Sequence, residues 1–345
     1  MNNILINQVK KILHGRALKK GLAHFQKTGI STHEAYIAMR NMFIITGGAS
    51  NDKLSVEIMN QRPKYLDIKP IGVLGDLSAG KAAVMVTKMK KDGYYIFDNV
   101  LNEELVDEIF KYASTTPTSY LDLSSPGQKY STNEIVFDES KPISPRYQFT
   151  NSKIVSSPHL VNLLFDQSLL FFAQEYLGCK PILDLVAFWW SLPFQGQGKS
   201  EAAQLYHFDL DRIKFMKFFF YITDVDTNNG PHCYVRGSHK ELPKSLARDG
   251  RFSDEEIEKA YGKSNMVEIC GRKGSIIAVD TRGFHKGKEL IQGKRLLFQI
   301  EFANSMFGQS YPPIDINLDS EAQQEIYKKY SDTYGEILQL VNTEK

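Results

Sequence analysis

After Gly178 the chain loses the three- and four-residue spacing of amphipathic helices and becomes a series of short β-branched and aromatic runs. These are Ile182 to Ser191, Leu205 to Asp209, Phe215 to Thr223, Ile276 to Val279 and Leu296 to Phe302. Turn sequences such as Asn229-Gly230-Pro231, Arg272-Lys273-Gly274 and Gln292-Gly293 separate them. Many short strands at this spacing favour an antiparallel sandwich or barrel over a parallel α/β fold. The chain is therefore expected to be mainly β with flanking helices, an α+β arrangement.

Upstream, apolar residues recur at helical spacing over residues 1 to about 45, with no proline before Pro63. A turn-rich connector follows, from Thr46-Gly47-Gly48 through Arg62-Pro63 and Lys69-Pro70. At Asp92-Gly93 the texture changes. Tyr94 to Phe97 reads as a strand, Asn102 as an N-cap, and Glu103-Glu104 as acids at the positive end of a helix from Leu105 to Ala113. Residues 114–150 are polar and contain Pro117, Pro126, Pro142 and Pro145, so they read as long loops of the kind that become lids or binding segments. Ser157-Pro158 opens a helix that Gly178 closes. Near the end, Ile326, Tyr330, Ile337 and Val341 share one stripe of an amphipathic helix. The layout is a helical extension and connector over 1–90, a β body over 91–305 and a helical extension over 306–345.

Charge and cysteine content narrow the function. Forty-two basic against 40 acidic side chains give no global reason to expect nucleic acid. Three cysteines, Cys179, Cys233 and Cys270, far apart and without a C-x-x-C, form neither a disulfide framework nor a cysteine zinc site, which points to a reducing, cytoplasmic setting. No apolar run approaches the roughly 18 residues of a membrane span, and no signal peptide is expected at the N-terminus. Residues 1–33 carry six basic and no acidic side chains. With Leu5, Val9 and Ile12, then Leu18, Leu22 and Phe25, on one stripe, this reads as a helix packed on the body with its basic face in water. Contact with a membrane surface or an acidic partner is the rival.

Two motifs compete. Gly75 to Ala82, Gly-Asp-Leu-Ser-Ala-Gly-Lys-Ala, has the glycines and lysine of a phosphate-binding loop, but Ala82 stands where a hydroxyl should hold magnesium, and no βαβ series surrounds it. The favoured reading is a glycine-rich turn between a strand-like run and the helix-prone stretch from Ala79 to Met89. The second motif is His207-Phe208-Asp209. On a strand, residues two apart project to one face, so imidazole and carboxylate reach one ion together. His285 follows a strand and turn downstream, and Arg295 opens the last strand. Two neutral imidazoles and one carboxylate leave half of an ion's surface open, an arrangement suited to non-haem iron(II) that must bind a cosubstrate and dioxygen. A forked, permanently charged guanidinium suits the remote end of a dicarboxylate.

From about Asp92 to Ala303 the sequence resembles the phytanoyl-CoA dioxygenase family of Fe(II)/2-oxoglutarate oxygenases. The likeness lies in Asp92-Gly93-Tyr94 to Leu101, the His207-x-Asp209 motif, Tyr221 to Asp226 leading to Asn229-Gly230-Pro231-His232, Gly237-Ser238-His239-Lys240, and then His285 and Arg295. The resemblance implies a double-stranded β-helix, a cupin-like jelly roll, over 91–305, with iron held by His207, Asp209 and His285. It implies 2-oxoglutarate as cosubstrate with its C5 carboxylate on Arg295, dioxygen as oxidant, ascorbate as a reductant, and hydroxylation of a small organic substrate with release of succinate and CO2. Members that halogenate have a small residue in place of the ligating carboxylate, so Asp209 favours hydroxylation.

A serine or threonine two residues after the second histidine often assists the arginine; here that position is Gly287. Lys217 is the expected helper at the cosubstrate, with a solvent-facing lysine as the plain reading. His232 and His239, in glycine-bounded turns, are expected to bond locally and not to the metal. One of Trp189 and Trp190 should face the barrel interior, and Asp211 and Arg212 either meet substrate at its mouth or form a surface ion pair. Substrate-contacting segments are expected in 114–150 and 192–203. A metal-binding barrel with no catalytic role is the alternative from a different functional class, and the terminal helices are free to pack on the barrel or on a second copy.

Overall fold

The structure, a computed structural model, describes residues 2–78, 80–125, 129–194 and 205–341. Three helices open the chain: α1 (Asn2–Thr28), α2 (His33–Thr46) and α3 (Ala49–Gln61). Thr32 caps α2 by accepting from the Ala35 amide, and Gly47, at φ 63°, ends it in the left-handed conformation that glycine adopts without penalty. Gly21 lets α1 approach α2 closely, since a Cβ there would lie 2.1 Å from that of Ala35. Leu18 is buried and Leu22 and Phe25 pack beside it, whereas Val9 and Ile12, in the first half of the expected stripe, are exposed.

The segment read as a phosphate loop forms a minimal antiparallel hairpin, β1 (Ile71–Gly72) with β2 (Gly75–Asp76), before α4 (Lys81–Asp92). Lys81 is paired at 2.9 Å with Asp76 instead of facing an open anion site. Ala79 of that motif lies outside the described residues. Then come β3 (Tyr94–Phe97) and α5 (Glu103–Thr115), the latter capped as expected by Asn102, which accepts from the Leu105 amide at 2.8 Å.

Residues 114–150 are not simply loops. They contain β4 (Pro117–Leu121), β5 (Tyr130–Val136) and β6 (Arg146–Gln148), which extend the main sheet to its edge. Pro117 is tolerated because it occupies the first residue of its strand, and β5 is largely exposed, which is why its sequence looks like loop. The helix expected from Ser157 to Gly178 is two, α7 (Pro158–Leu164) and α8 (Gln167–Leu177), preceded by the short α6 (Asn151–Val155). Asp166 interrupts it by capping α8, accepting from the amides of Ser168 and Leu169.

The body is built from β7 (Ile182–Ser191), β8 (Phe215–Tyr221), β9 (His232–Val235), β10 (Met266–Ile269), β11 (Ile276–Val279), β12 (His285–Gly287) and β13 (Arg295–Ala303), with helix α9 (Asp254–Tyr261) between β9 and β10. An eight-stranded sheet of order β3-β11-β8-β13-β7-β6-β4-β5 faces a three-stranded sheet of order β10-β9-β12, the double-stranded β-helix. Its neighbouring strands run antiparallel throughout. Trp189, Phe219, Tyr221, Ile277 and Leu297 of the large sheet pack with Tyr234 and Ile269 of the small one to line the interior. The opposite face of the large sheet packs on α4, α5 and α8, where Trp190 is fully buried and stacks on Phe137 with centroids 4.4 Å apart. Burying such side chains contributes about 25 cal/mol per Å² removed from water.

The C-terminal stripe does not form one helix. It divides into α10 (Glu321–Lys329), α11 (Ser331–Tyr334) and β15 (Leu338–Leu340), and β15 pairs in parallel with β14 (Ile314–Ile316). Ile326 is thus helical, whereas Ile337 and Val341 belong to that ladder region. No helix of the described residues is long and apolar enough to cross a membrane.

Candidate active site

Leu205 to Asp209 does not extend into a regular strand. It makes two isolated bridges, Tyr206 to Phe252 and His207 to His285. His207 and His285 exchange both backbone hydrogen bonds, at 3.0 and 2.8 Å, and the Asp209 amide donates to the Thr281 carbonyl at 2.8 Å. This main-chain stitching places the side chains of His207, Asp209 and His285 together, with donor atoms all within 4.8 Å of one another.

The imidazoles are aimed by their other nitrogens. Nδ1 of His207 lies 3.1 Å from the Leu205 carbonyl, and Nδ1 of His285 lies 3.0 Å from the Gly283 carbonyl. A carbonyl only accepts, so each Nδ1 carries the proton and each Nε2 presents its lone pair to the interior. Asp209 lies 3.8 Å from Nε2 of His207 and 3.4 Å from Nε2 of His285. Burial, reinforced by His285, lowers the His207 imidazole to about 3 against the pull of Asp209, so it is neutral at pH 7. Burial alone would raise the Asp209 carboxyl, yet Lys217 first and then His285 hold it well below the usual carboxylate range. Two imidazoles, each with Nε2 turned inward, and a carboxylate are a donor set suited to iron(II), and the residues present fit it.

Lys217 is buried with its ammonium 2.8 Å from Asp209 and 3.4 Å from Glu301. The register pairs Lys217 with Glu301 on β13, six residues from Arg295. Its surroundings therefore do not support the expected role beside Arg295 at the cosubstrate, nor that of a solvent-facing lysine; it is the counter-charge of Asp209.

Arg295 opens β13 with its side chain in the interior. Its guanidinium donates Nη1–H to the Gly230 carbonyl and lies 3.4 Å from the Ser191 hydroxyl, while Nε has no partner among the described residues. Among the described residues no carboxylate pairs with it, and burial lowers its pKa. A buried guanidinium lacking an acid partner is a site prepared for an anion.

Sequence reasoning missed one neighbour, Arg146, and misplaced another, His232. Arg146 on β6 is in register with Ser191, which is in register with Arg295, so all three project from one face. Its guanidinium lies 4.4 Å over the Trp189 ring, and its Nε is also unpartnered. The prolines around it hid the strand. His232 lies on β9, not in a turn, and its ring is 5.4 Å from that of His285. His239 does bond locally, with Nε2 3.0 Å from the Lys90 carbonyl. Trp189 is the tryptophan that faces the interior. Arg212 is neither a surface pair nor at the substrate: it is buried against Asp184 at 2.7 Å and binds the Met306 carbonyl at 2.8 Å. Residues 195–203 of the expected substrate segment lie outside the described residues.

The barrel and its His-Asp-His cluster define a metal-dependent oxygenase scaffold. The sequence matches the family described as phytanoyl-CoA dioxygenase (PhyH) over residues 89–291, more than half of the chain, and the chain belongs to that family. It is a non-haem iron, 2-oxoglutarate-dependent oxygenase.

Several solved structures are similar in shape. AviO1 from Streptomyces viridochromogenes Tue57 is 16% identical, with 68% of this chain and 97% of that chain covered at a TM-score of 0.44. HygX from Streptomyces hygroscopicus, with nickel, 2-oxoglutarate and hygromycin B bound, is 16% identical, covering 69% and 91% at 0.43. EctD from S. alaskensis in its apoform is 17% identical, covering 72% and 85% at 0.47. At these scores the likenesses add nothing to the family assignment. Comparison with curated proteins finds no match.

Proposed function

We propose that this chain hydroxylates a small organic substrate, consuming 2-oxoglutarate and dioxygen and releasing succinate and CO2. The observation that carries the reading is the convergence of His207, Asp209 and His285 in the same interior as Arg295, a guanidinium without an acid partner. His207 and His285 would hold iron(II) through Nε2, and Asp209 through a carboxylate oxygen. Iron, when bound, supplies the redox chemistry that couples decarboxylation of the keto acid to oxidation of a substrate C–H bond.

The protein's own part is placement and exclusion. Arg295 binds the C5 carboxylate and so fixes which way the keto acid lies. Lys217 keeps Asp209 ionised and oriented, while the two Nδ1–H to carbonyl bonds prevent the imidazoles from turning. Trp189, Phe219, Ile277 and Leu297 keep bulk water from the interior. Residues 91–305 form the catalytic body in this reading, with extensions on either side. A cytoplasmic setting, with ascorbate as a reductant, would keep the iron ferrous.

Turnover without added substrate tests the proposal. Purified protein given Fe(II), ascorbate and 2-oxoglutarate should release succinate slowly, and His207→Ala should abolish that release. Wild-type protein that binds neither iron nor 2-oxoglutarate under anaerobic conditions would rule the function out. The alternative of a metal-binding barrel acting as sensor or scaffold has no use for Arg295, and predicts metal binding unaccompanied by 2-oxoglutarate binding.

A further inference from the structure

His232 and Gly287 are partners in the antiparallel register of β9 and β12. Residues paired in this way project to the same face, here the one that also carries His285 two positions before Gly287. Gly287 has no side chain to occupy its share of that face. The His232 imidazole is the group beside it, with its ring 5.0 Å from Phe219 and 5.4 Å from His285. It is 6% exposed, and among the described residues its Nε2 has no hydrogen-bond partner. A buried polar nitrogen left in that state is destabilising until a ligand bonds to it.

Arg295 approaches the same strand. Its Nη1–H bonds the carbonyl of Gly230, two residues before His232, and its Nε is likewise buried without a partner. Two unused nitrogens from opposite sheets thus border one interior, one on a guanidinium and one on an imidazole. His232 does not belong to the cluster whose donor atoms converge, which consists of His207, Asp209 and His285. Its Nε2 therefore has a partner to find other than the metal.

We propose that His232 stands in for the hydroxyl that Gly287 cannot provide, donating Nε2–H to the C5 carboxylate of 2-oxoglutarate beside Arg295. The inference rests on the functional reading above and makes His232 a cosubstrate-binding residue. It also accounts for the pairing of an imidazole with a glycine across these strands: Gly287 carries no side-chain donor, and His232 supplies one. Gly287 is not among the glycines with positive φ, so a serine there would fit the backbone.

The test uses the full chain loaded with nickel, which holds the keto acid without turnover, and calorimetric titration with two ligands. These are 2-oxoglutarate and 2-oxopentanoate, which has a methyl group in place of the C5 carboxylate. His232→Leu should weaken 2-oxoglutarate about ten- to a hundredfold, the range for a hydrogen bond to a charged group. It should leave nickel and 2-oxopentanoate affinity within about twofold, and adding Gly287→Ser should restore most of the lost 2-oxoglutarate affinity. Equal weakening of both keto acids, loss of nickel by a folded variant, or unchanged 2-oxoglutarate binding would overturn the inference. If His232→Leu fails to fold by circular dichroism, His232→Phe carries the same comparison with a ring that has no donor. Wild-type protein that loads nickel and ignores both keto acids defeats the functional reading and this inference together. Wild-type protein that binds 2-oxoglutarate no better than the His232 variant defeats this inference alone.

Discussion

Replacing Lys217 by methionine separates its role as counter-charge from any direct part in chemistry. Burial alone would lower the Lys217 ammonium, but Asp209 and then Glu301 outweigh burial and hold it well above the ordinary lysine value. Glu301 is pushed well above the usual carboxylate range by burial, against the pull of Lys217, and among the described residues neither of its oxygens has a hydrogen-bond partner. The charged pair is therefore Lys217 with Asp209, 2.8 Å apart. Methionine retains the stem of the side chain, so the cavity left is small. Removing one member of a buried pair costs about 3–5 kcal/mol, because the other charge stays buried.

That cost applies to metal-free protein. With a divalent ion facing Asp209 the stranded carboxylate has a counter-charge again, and the loss falls to about 1 kcal/mol, that of one hydrogen bond. By linkage the difference of about 2–4 kcal/mol reappears as metal binding roughly 30- to 1000-fold tighter in Lys217→Met. Urea unfolding with and without nickel, together with competition against a chelator of known affinity, measures both sides of this balance. Equal destabilisation in the two states, or weaker metal binding by the variant, would show that Lys217 holds the geometry of the site and does not compete with the metal.

Other substitutions test the scaffold. Burial would raise the Asp280 carboxyl, but Arg282 outweighs it through charge and hydrogen bonds and lowers it to about 2, below its ordinary 3.8. Stability from this group is therefore full above about pH 4 and lost as pH falls through about 2, and it amounts to about 2 kcal/mol. Thermal unfolding of wild type and Asp280→Asn should differ by a constant amount above pH 4 and converge towards pH 2; a gap that widens on acidification contradicts the pairing. Gly93 lies at φ +92°, and a Cβ there would be 2.2 Å from the Tyr234 hydroxyl, which bonds the Asp280 carbonyl. Gly93→Ala should cost about 2–4 kcal/mol through strain and overpacking, readable as a lowered Tm, and an unchanged Tm would refute that account.

Much of the barrel was legible because its central strands are buried on both faces. Ile276–Val279 is a continuous apolar run, and Ile182–Ser191 is one interrupted only by Asp184 before its terminal serine; both end where the sequence places their ends. The ligands were legible for another reason: a metal site needs specific residue types at strand spacing, and few other arrangements use them. What escaped depended on distant partners. β4 to β6 look like loop because they lie at an edge, carry polar outward residues and are flanked by prolines, and their pairing with one another and, through β6, with β7 is invisible locally. Arg146 was hidden with them. His232 follows Gly230-Pro231, which reads as a turn, although the next four residues form a strand between two others. Arg212 reads as surface charge, and only the fold shows Asp184 meeting it in the core. The final stripe has helical spacing, but Leu338–Leu340 pairs with Ile314–Ile316, a partner no local period reveals.

The exchange of backbone hydrogen bonds between His207 and His285 has an evolutionary consequence. Main-chain groups hold the two ligand-bearing segments together, so the framework does not depend on which side chains it carries. A barrel of this kind can exchange one metal-binding residue for another and still fold, so new chemistry can be tried one ligand at a time without first rebuilding the architecture that presents it.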